Sequence, residues 1–131
     1  MPTTSAADML LTVAEPTRLR ILNCLAAAPL FVSDLQAVLE LPQPTVSRHL
    51  QVLRRAHLVR DTPIAQFVLY RLRPNGGTHG RMLAAILDAV HDDGELRAER
   101  HRAADRSRTH TRSRVLEPPP PSWPAKQKRP S

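Results

Sequence analysis

Between residues 32 and 58 apolar positions recur at helical spacing in two short runs, separated by a turn that carries Pro42 and Pro44. In the first run Leu35, Val38 and Leu39 share one face. A capping box is expected at its start, with Ser33 accepting from a first-turn amide and Gln36, three residues on, reaching back. The two prolines end the turn and open the second run, because the donor that proline lacks would be unpaired in a first turn anyway. There Val46, Leu50 and Leu53 repeat at steps of four and three and point inward. At ~100° per residue the opposite face carries Pro44, Arg48, Gln51 and Arg55, with Thr45 beside them at the N-terminal end. Beyond residue 58 the composition turns β-branched and aromatic, which predicts strands at 59–61 and 67–72 joined by a connection over 62–66. Two short helices around a tight turn, then a hairpin, outline a winged helix-turn-helix: mainly α, with a small β-hairpin.

The flanking segments frame this unit. Met9, Leu10 and Val13 form an apolar patch on a short first helix that ends at Pro16. Leu19, Leu22 and Leu25 make the inward face of a second helix, which Pro29 closes. Met82, Leu83, Ile86, Leu87 and Val90 form an apolar stripe on a last long helix, which good helix formers can continue through 97–105. Together with the first helix, that stripe exceeds what a small domain needs to cover itself, and pairing of two chains is its natural use. We therefore expect one winged-helix DNA-binding and dimerisation domain over residues 1–96. A basic, proline-rich tail follows over 97–131, disordered from about residue 107.

The outer face of the second short helix suits the major groove. Gln can pair with adenine and Arg with guanine, and Thr offers a hydroxyl to phosphate or a methyl to thymine. Any amphipathic surface helix has such a face; the helix before it and the hairpin after it are what favour DNA. On the hairpin, Arg60, Gln66 and Arg71 are the candidates for phosphate or minor-groove contact. Alternation there puts Phe67, Leu69 and Arg71 on one side, and Val68, Tyr70 and Leu72 on the other.

Charge localises the picture further. Residues 1–96 hold nine Lys and Arg against nine Asp and Glu, so the whole net charge of +7 comes from residue 97 onward. The domain is not a generally basic body; Arg48, Arg54, Arg55 and Arg60 form a local site against Glu40 and Asp61. The tail reads either as an electrostatic arm that adds phosphate contacts or as a solvated extension. Trp123, the only Trp, lies within it.

The stretches EPTRLRILNCL, SDLQAVLELPQPTVSRHLQVLRRAHLV and VLYRL resemble the ArsR/SmtB family of bacterial winged-helix repressors over about residues 5–93. The resemblance implies a dimer whose first and last helices pair in an outer layer, and a repressor that leaves its operator when an inducer, often a metal ion, binds. It implies that Gln43, Thr45, Ser47 and Arg48 face the DNA, and that His49 is structural. It also directs attention to two metal sites. The thiolate site of the family falls on residues 31–34, Phe-Val-Ser-Asp, which hold no cysteine, so soft-metal sensing there is disfavoured. The site on the last helix falls near Asp88, His91, His101 and Asp105. A step of eleven residues returns within ~20° on a helix, but the step of ten from His91 to His101 lands ~80° away. Zinc or another divalent metal would need a break near Gly94 and a second subunit.

Cys24, the only cysteine, sits among Ile21, Leu22 and Leu25 and is expected in the core. One thiol forms no intrachain disulfide, which suits a reducing cytoplasm. No basic region precedes an apolar run at the N-terminus, and no apolar stretch approaches the ~20 residues of a membrane helix. Nor is there a Gly-rich phosphate loop, a nucleophile with a spaced base or a pair of carboxylates suggesting an enzyme. Two readings stay open: a dimeric regulator that binds double-stranded DNA at a palindromic operator, and a winged-helix module that contacts proteins through the same helix.

Overall fold

The computed structural model describes residues 5–73 and 77–111, and in it the helices Ala6–Val13, Pro16–Ala27 and Gly94–Arg106 begin at side-chain caps. Helix α1 (Ala6–Val13) starts where Ser5 Oγ accepts from the Asp8 amide at 3.1 Å. Helix α2 (Pro16–Ala27) starts where Glu15 Oε1 accepts from the Arg18 amide at 2.8 Å, with Pro16 in the first turn. The short strand β1 (Leu30–Phe31) leads directly into α3 (Val32–Leu39), and α4 (Gln43–Arg55) follows after a three-residue turn. The hairpin β2 (Val59–Ile64) and β3 (Phe67–Leu72) precedes α5 (Gly77–Ala89) and α6 (Gly94–Arg106), and a π-helical turn, Ser107–Thr111, closes the described chain.

Several expectations need correction here. Helix α3 does not begin at a Ser33–Gln36 box. Phe31 occupies the cap position, and Asp34 reaches back to accept the Phe31 amide at 3.0 Å. A carboxylate three residues on performs the reciprocal bond, two residues earlier in register. The expected connection 62–66 shrinks to a two-residue turn at Ala65 and Gln66, with Ala65 in the left-handed region at φ 56°. Pro63 is tolerated inside β2 because the sheet order is β1-β3-β2, which leaves β2 at an edge with one set of backbone groups unpaired. The strand β1 was not expected at all; it pairs Leu30 with Tyr70 and Phe31 with Leu69, and Phe31 meets Phe67 edge-on at 5.8 Å between centroids.

The single long C-terminal helix is two helices. It stops after Ala89, and Asp93 Oδ1 caps a new start by accepting the Leu96 amide at 3.0 Å. Gly94 stands at the first position of α6, where a residue of low helix propensity does little harm. The expected domain limit at residue 96 falls inside α6, which folds back on α2 and α3 and buries Glu99 and Ala103. Ser107, the expected start of disorder, is buried, and its hydroxyl donates to the Pro29 carbonyl at 2.9 Å. Residues 112–131, including Pro118 to Pro121 and Trp123, lie outside the described residues. The apolar stripe at 82–90 lies mainly on α5, which touches α1; the chain's last described helix, α6, is not part of that pair.

The core is the expected one at most positions. Leu35, Val38, Leu39, Val46, Leu50 and Leu53 are buried, with Ile21, Leu22, Cys24 and Leu25 from α2. No helix of the described residues is long and apolar enough to cross a membrane. Burial pushes the Cys24 thiol up to about 12, because a thiolate there would lose its hydration. Iodoacetamide at about pH 8 should therefore leave Cys24 of the native chain almost unmodified and alkylate it readily in urea. Equal rates, followed by mass spectrometry, would contradict its place in the core.

Candidate nucleic-acid interface

Helix α4 is seated by Val46, Leu50 and Leu53, all fully buried. Its first turn closes on Pro42, whose carbonyl accepts from Thr45 and Val46 at 3.1 Å each. Its end closes on His57 in the left-handed region, φ 61°, where the His57 amide donates to Arg54 and the Leu58 amide to Leu53. The side away from the core exposes Gln43, Pro44, Arg48 and Arg55, with Thr45 and Ser47 half-buried. Gln43 Nε2 donates to Ser47 Oγ at 2.6 Å, so these two polar groups are already oriented against each other.

Two of the expected contact residues, Gln51 on the helix and Arg71 on the hairpin, are less exposed than the candidates beside them. Gln51 is half-buried and hydrogen-bonds Tyr70 of the hairpin, whose hydroxyl is pushed up chiefly by burial. Arg71 is half-buried too, and its Nε is enclosed without a hydrogen-bond partner among the described residues. It stands directly across the ladder from Arg60, which is exposed, as is Gln66 in the turn. Arg54 is held toward β2 by Asp61 at 3.6 Å, whereas no ion pair among the described residues engages Arg48, Arg55 or Arg60.

His49 points the other way, into the scaffold. Its Nδ1 lies 3.4 Å from Arg18 Nη1 and 4.0 Å from Glu15 Oε1, while Arg18 Nε donates to the Thr12 carbonyl at 2.7 Å. Burial holds its pKa below the ordinary histidine value; Arg18 and Arg48 add to this and Glu15 opposes it. A neutral ring with Nδ1 accepting from Arg18 ties α4 to the junction of α1 and α2.

Of the four metal candidates, Asp88, His91 and His101 line one open groove of about 460 Å³ between α2, α5 and α6, shared with Asn23 and Arg100. Asp105 is not among its walls and pairs with Arg108. Among the described residues no group of three or more His, Cys, Asp or Glu is placed to hold a metal ion.

Residues 15–61, which contain α2 to α4 and the start of the hairpin, match the model of the bacterial regulatory protein, arsR family. The HTH-type transcriptional repressor SmtB of Mycobacterium tuberculosis is 35% identical over 91 residues, 70% of this chain and 64% of that protein. The HTH-type transcriptional regulator KmtR of the same organism is 35% identical over 92 residues, 70% of this chain and 69% of its own length. Among solved structures, reduced HlyU from Vibrio cholerae superposes with a TM-score of 0.55 at 37% identity, covering 65% of this chain and 84% of that one. The chain belongs to the ArsR family. It spans 64% of the length of the SmtB repressor it matches.

The periodicity of this ArsR-family sequence does not reveal a set of polar anchors that ties the helix-turn-helix to α2 and α6. Arg20, Asn23, Asp34, Glu99, Arg100 and Arg106 bind one another or nearby carbonyls across α2, α3 and α6. The one available signal was the alternation of charge in RAERHRAADR, which also describes a solvated helix.

The lowered pKa of His49 sets a pH dependence. The unfolded ring binds its proton near the ordinary value, about 6.5, and the native ring only below that. His49 therefore contributes stability in full above that range, and the contribution is lost as pH falls through it toward the native pKa. Urea unfolding from about pH 7.5 down to 5 should show wild type losing more stability than His49→Gln. Parallel curves would reject this role.

Proposed function

We propose that this chain is a sequence-specific DNA-binding transcriptional regulator, acting in the cytoplasm as a homodimeric repressor at a palindromic operator. The observation that carries the reading is the outer side of α4. Gln43, Arg48 and Arg55 stand exposed, without ion-pair partners among the described residues, on a helix whose other side is sealed into the core. Thr45 and Ser47 complete the set that would meet base edges or phosphates at the N-terminal end, and Arg60 and Gln66 extend it onto the wing. Arg60 and Arg71, like charges directly opposed in the ladder, would be relieved by a phosphate. Gln51 would reach a base only by giving up Tyr70. Similarity to repressors, among them SmtB of Mycobacterium tuberculosis and the biofilm growth-associated repressor of Agrobacterium fabrum, supports the same reading.

A protein-contact role for α4 is disfavoured by its surface. The large hydrophobic side chains exposed among the described residues are Leu10, Leu11 and Val68, and none lies on α4. Leu10 and Leu11, 47% and 71% exposed on α1 beside α5, are the natural seam for a second copy. Such a dimer would set two α4 helices about one DNA turn apart, ~34 Å. The folded unit would run through about residue 111, with 112–131 as a basic arm.

Selection from a random duplex pool at physiological salt should enrich a palindrome with half-sites one turn apart. Arg48→Ala should then weaken the selected site by about 1–3 kcal/mol and relax one position within it. Enrichment of no sequence, with binding to every duplex, would sink the specific reading.

Residues 112–131 hold five basic residues and one acidic. Deleting them should flatten the plot of log affinity against log salt, by up to ~0.9 for each phosphate that the arm neutralises. An unchanged slope would show that the arm neutralises none.

A further inference from the structure

Helix α3 is only eight residues long, and a helix of that length is marginal on its own. Both of its ends are held by groups anchored on α6. At the N-terminal end, Asp34 is fully buried; Oδ2 accepts the Phe31 amide at 3.0 Å, and Oδ1 meets Arg106 Nε at 3.3 Å. At the C-terminal end, the last carbonyl, on Leu39, accepts from Arg20 Nη2 at 3.1 Å. Arg20 is itself gripped by buried Glu99, with Nε at 3.0 and 3.2 Å from the two carboxylate oxygens and Nη2 at 2.5 Å. A longer contact, 3.5 Å, runs from Arg102 to the Val38 carbonyl. Orphan carbonyls at a helix end require partners, and α6 supplies or positions them.

The turn that follows transmits this placement. Glu40 stands in the left-handed region at φ 56°, the Leu41 amide returns to the Gln36 carbonyl at 3.3 Å, and Pro42 caps α4. So short and closed a connection leaves little freedom between the end of α3 and the first turn of α4. We infer that Glu99 and Arg106 of α6 are positioning residues for DNA reading: through Arg20 and Asp34 they fix α3, and thereby the angle at which α4 presents Gln43 and Arg48. Neither touches DNA. The inference rests on the DNA-binding reading above, and it assigns to α6, which lies beyond the residues matched by the family model, control over the specificity of the reading helix.

The test is Glu99→Gln in the full chain, which keeps the shape of the side chain and removes the charge that grips Arg20. Affinity for the selected operator should fall about tenfold or more, the scale of one charged hydrogen bond, while affinity for an unrelated duplex changes less than about twofold. Amide hydrogen exchange without DNA should speed up in α3 and the first turn of α4, and not in α5. Arg20→Lys keeps the charge pair but loses the fork that reaches Leu39, so it should show the same pattern in milder form. If Glu99→Gln does not fold, Arg106→Gln, at a half-exposed site, must lower the ratio of operator to unrelated-duplex affinity. A folded variant with that ratio unchanged, or with faster exchange confined to α6, overturns the inference. If wild type itself fails to discriminate an operator, the DNA reading falls, and the exchange pattern alone decides whether α6 holds α3.

Discussion

Val46, Leu50 and Leu53 are fully buried, and through them the core decides the roll of α4 about its axis. Burying an aliphatic side chain of this size is worth roughly 1.5–3 kcal/mol, so turning the helix by one residue, ~100°, would forfeit more than any surface contact returns. That constraint selects which residues face outward. It leaves Gln43, Pro44, Arg48 and Arg55 exposed and commits His49 to Arg18 on the scaffold. The chemistry α4 can offer a partner follows from its packing. Since the exposed set is short, polar and basic, the same constraint that stabilises the domain also favours a duplex over an apolar protein surface.

The roll of a helix is set by apolar burial, but its tilt needs directional contacts, and here these are ionic. A partly buried ion pair such as Arg20–Glu99 contributes little net stability, because solvent screens the exposed guanidinium and desolvation of the buried carboxylate offsets the Coulomb gain. What it does supply is geometry: Arg20 satisfies both carboxylate oxygens and the Leu39 carbonyl only in one arrangement. Asp34 is constrained in the same way by the Phe31 amide and Arg106. Aliphatic side chains in those places would hold α6 against the body as firmly and would tolerate sliding. A domain that must present one helix at a defined angle has a use for contacts that do not.

The parts of the fold legible in the sequence are those encoded by local period. The steps 46, 50, 53 and 35, 38, 39 fix two helices, and the β-branched and aromatic run at 67–72 fixes one strand. The parts that were not legible depend on partners far along the chain. Strand β1 is two residues long and exists only because Tyr70 and Leu69 lie beside it. Gln51 falls on the outer arc of a helical wheel, but the hairpin returns Tyr70 to meet it. Apolar spacing carries smoothly from residue 82 to 90, yet Asp93 caps a second helix, a local signal that Gly94 obscured because glycine reads equally as an interruption. In the candidate interface, the exposure of Arg48 and Arg55 was readable from period alone, whereas the partial burial of Arg71 required the ladder.

The same distinction alters the meaning of the net charge. Ten basic residues from Arg97 onward look like a reservoir of positive potential for phosphate binding. In the fold, Arg100 is bound by Asn23 and the His91 carbonyl, Arg106 by Asp34, and Arg108 by Asp105. Those guanidinium groups are spent on internal acceptors, and their field is partly cancelled by the carboxylates beside them. The charge left to attract a duplex is therefore smaller than the composition implies, and it is divided between a local patch on α4 and the wing and the residues beyond 111. A patch of a few arginines gives modest, direction-sensitive attraction; a basic segment gives attraction that is stronger and indifferent to sequence. Under the proposed function, discrimination between sequences would therefore have to come from the α4 patch and not from the total charge.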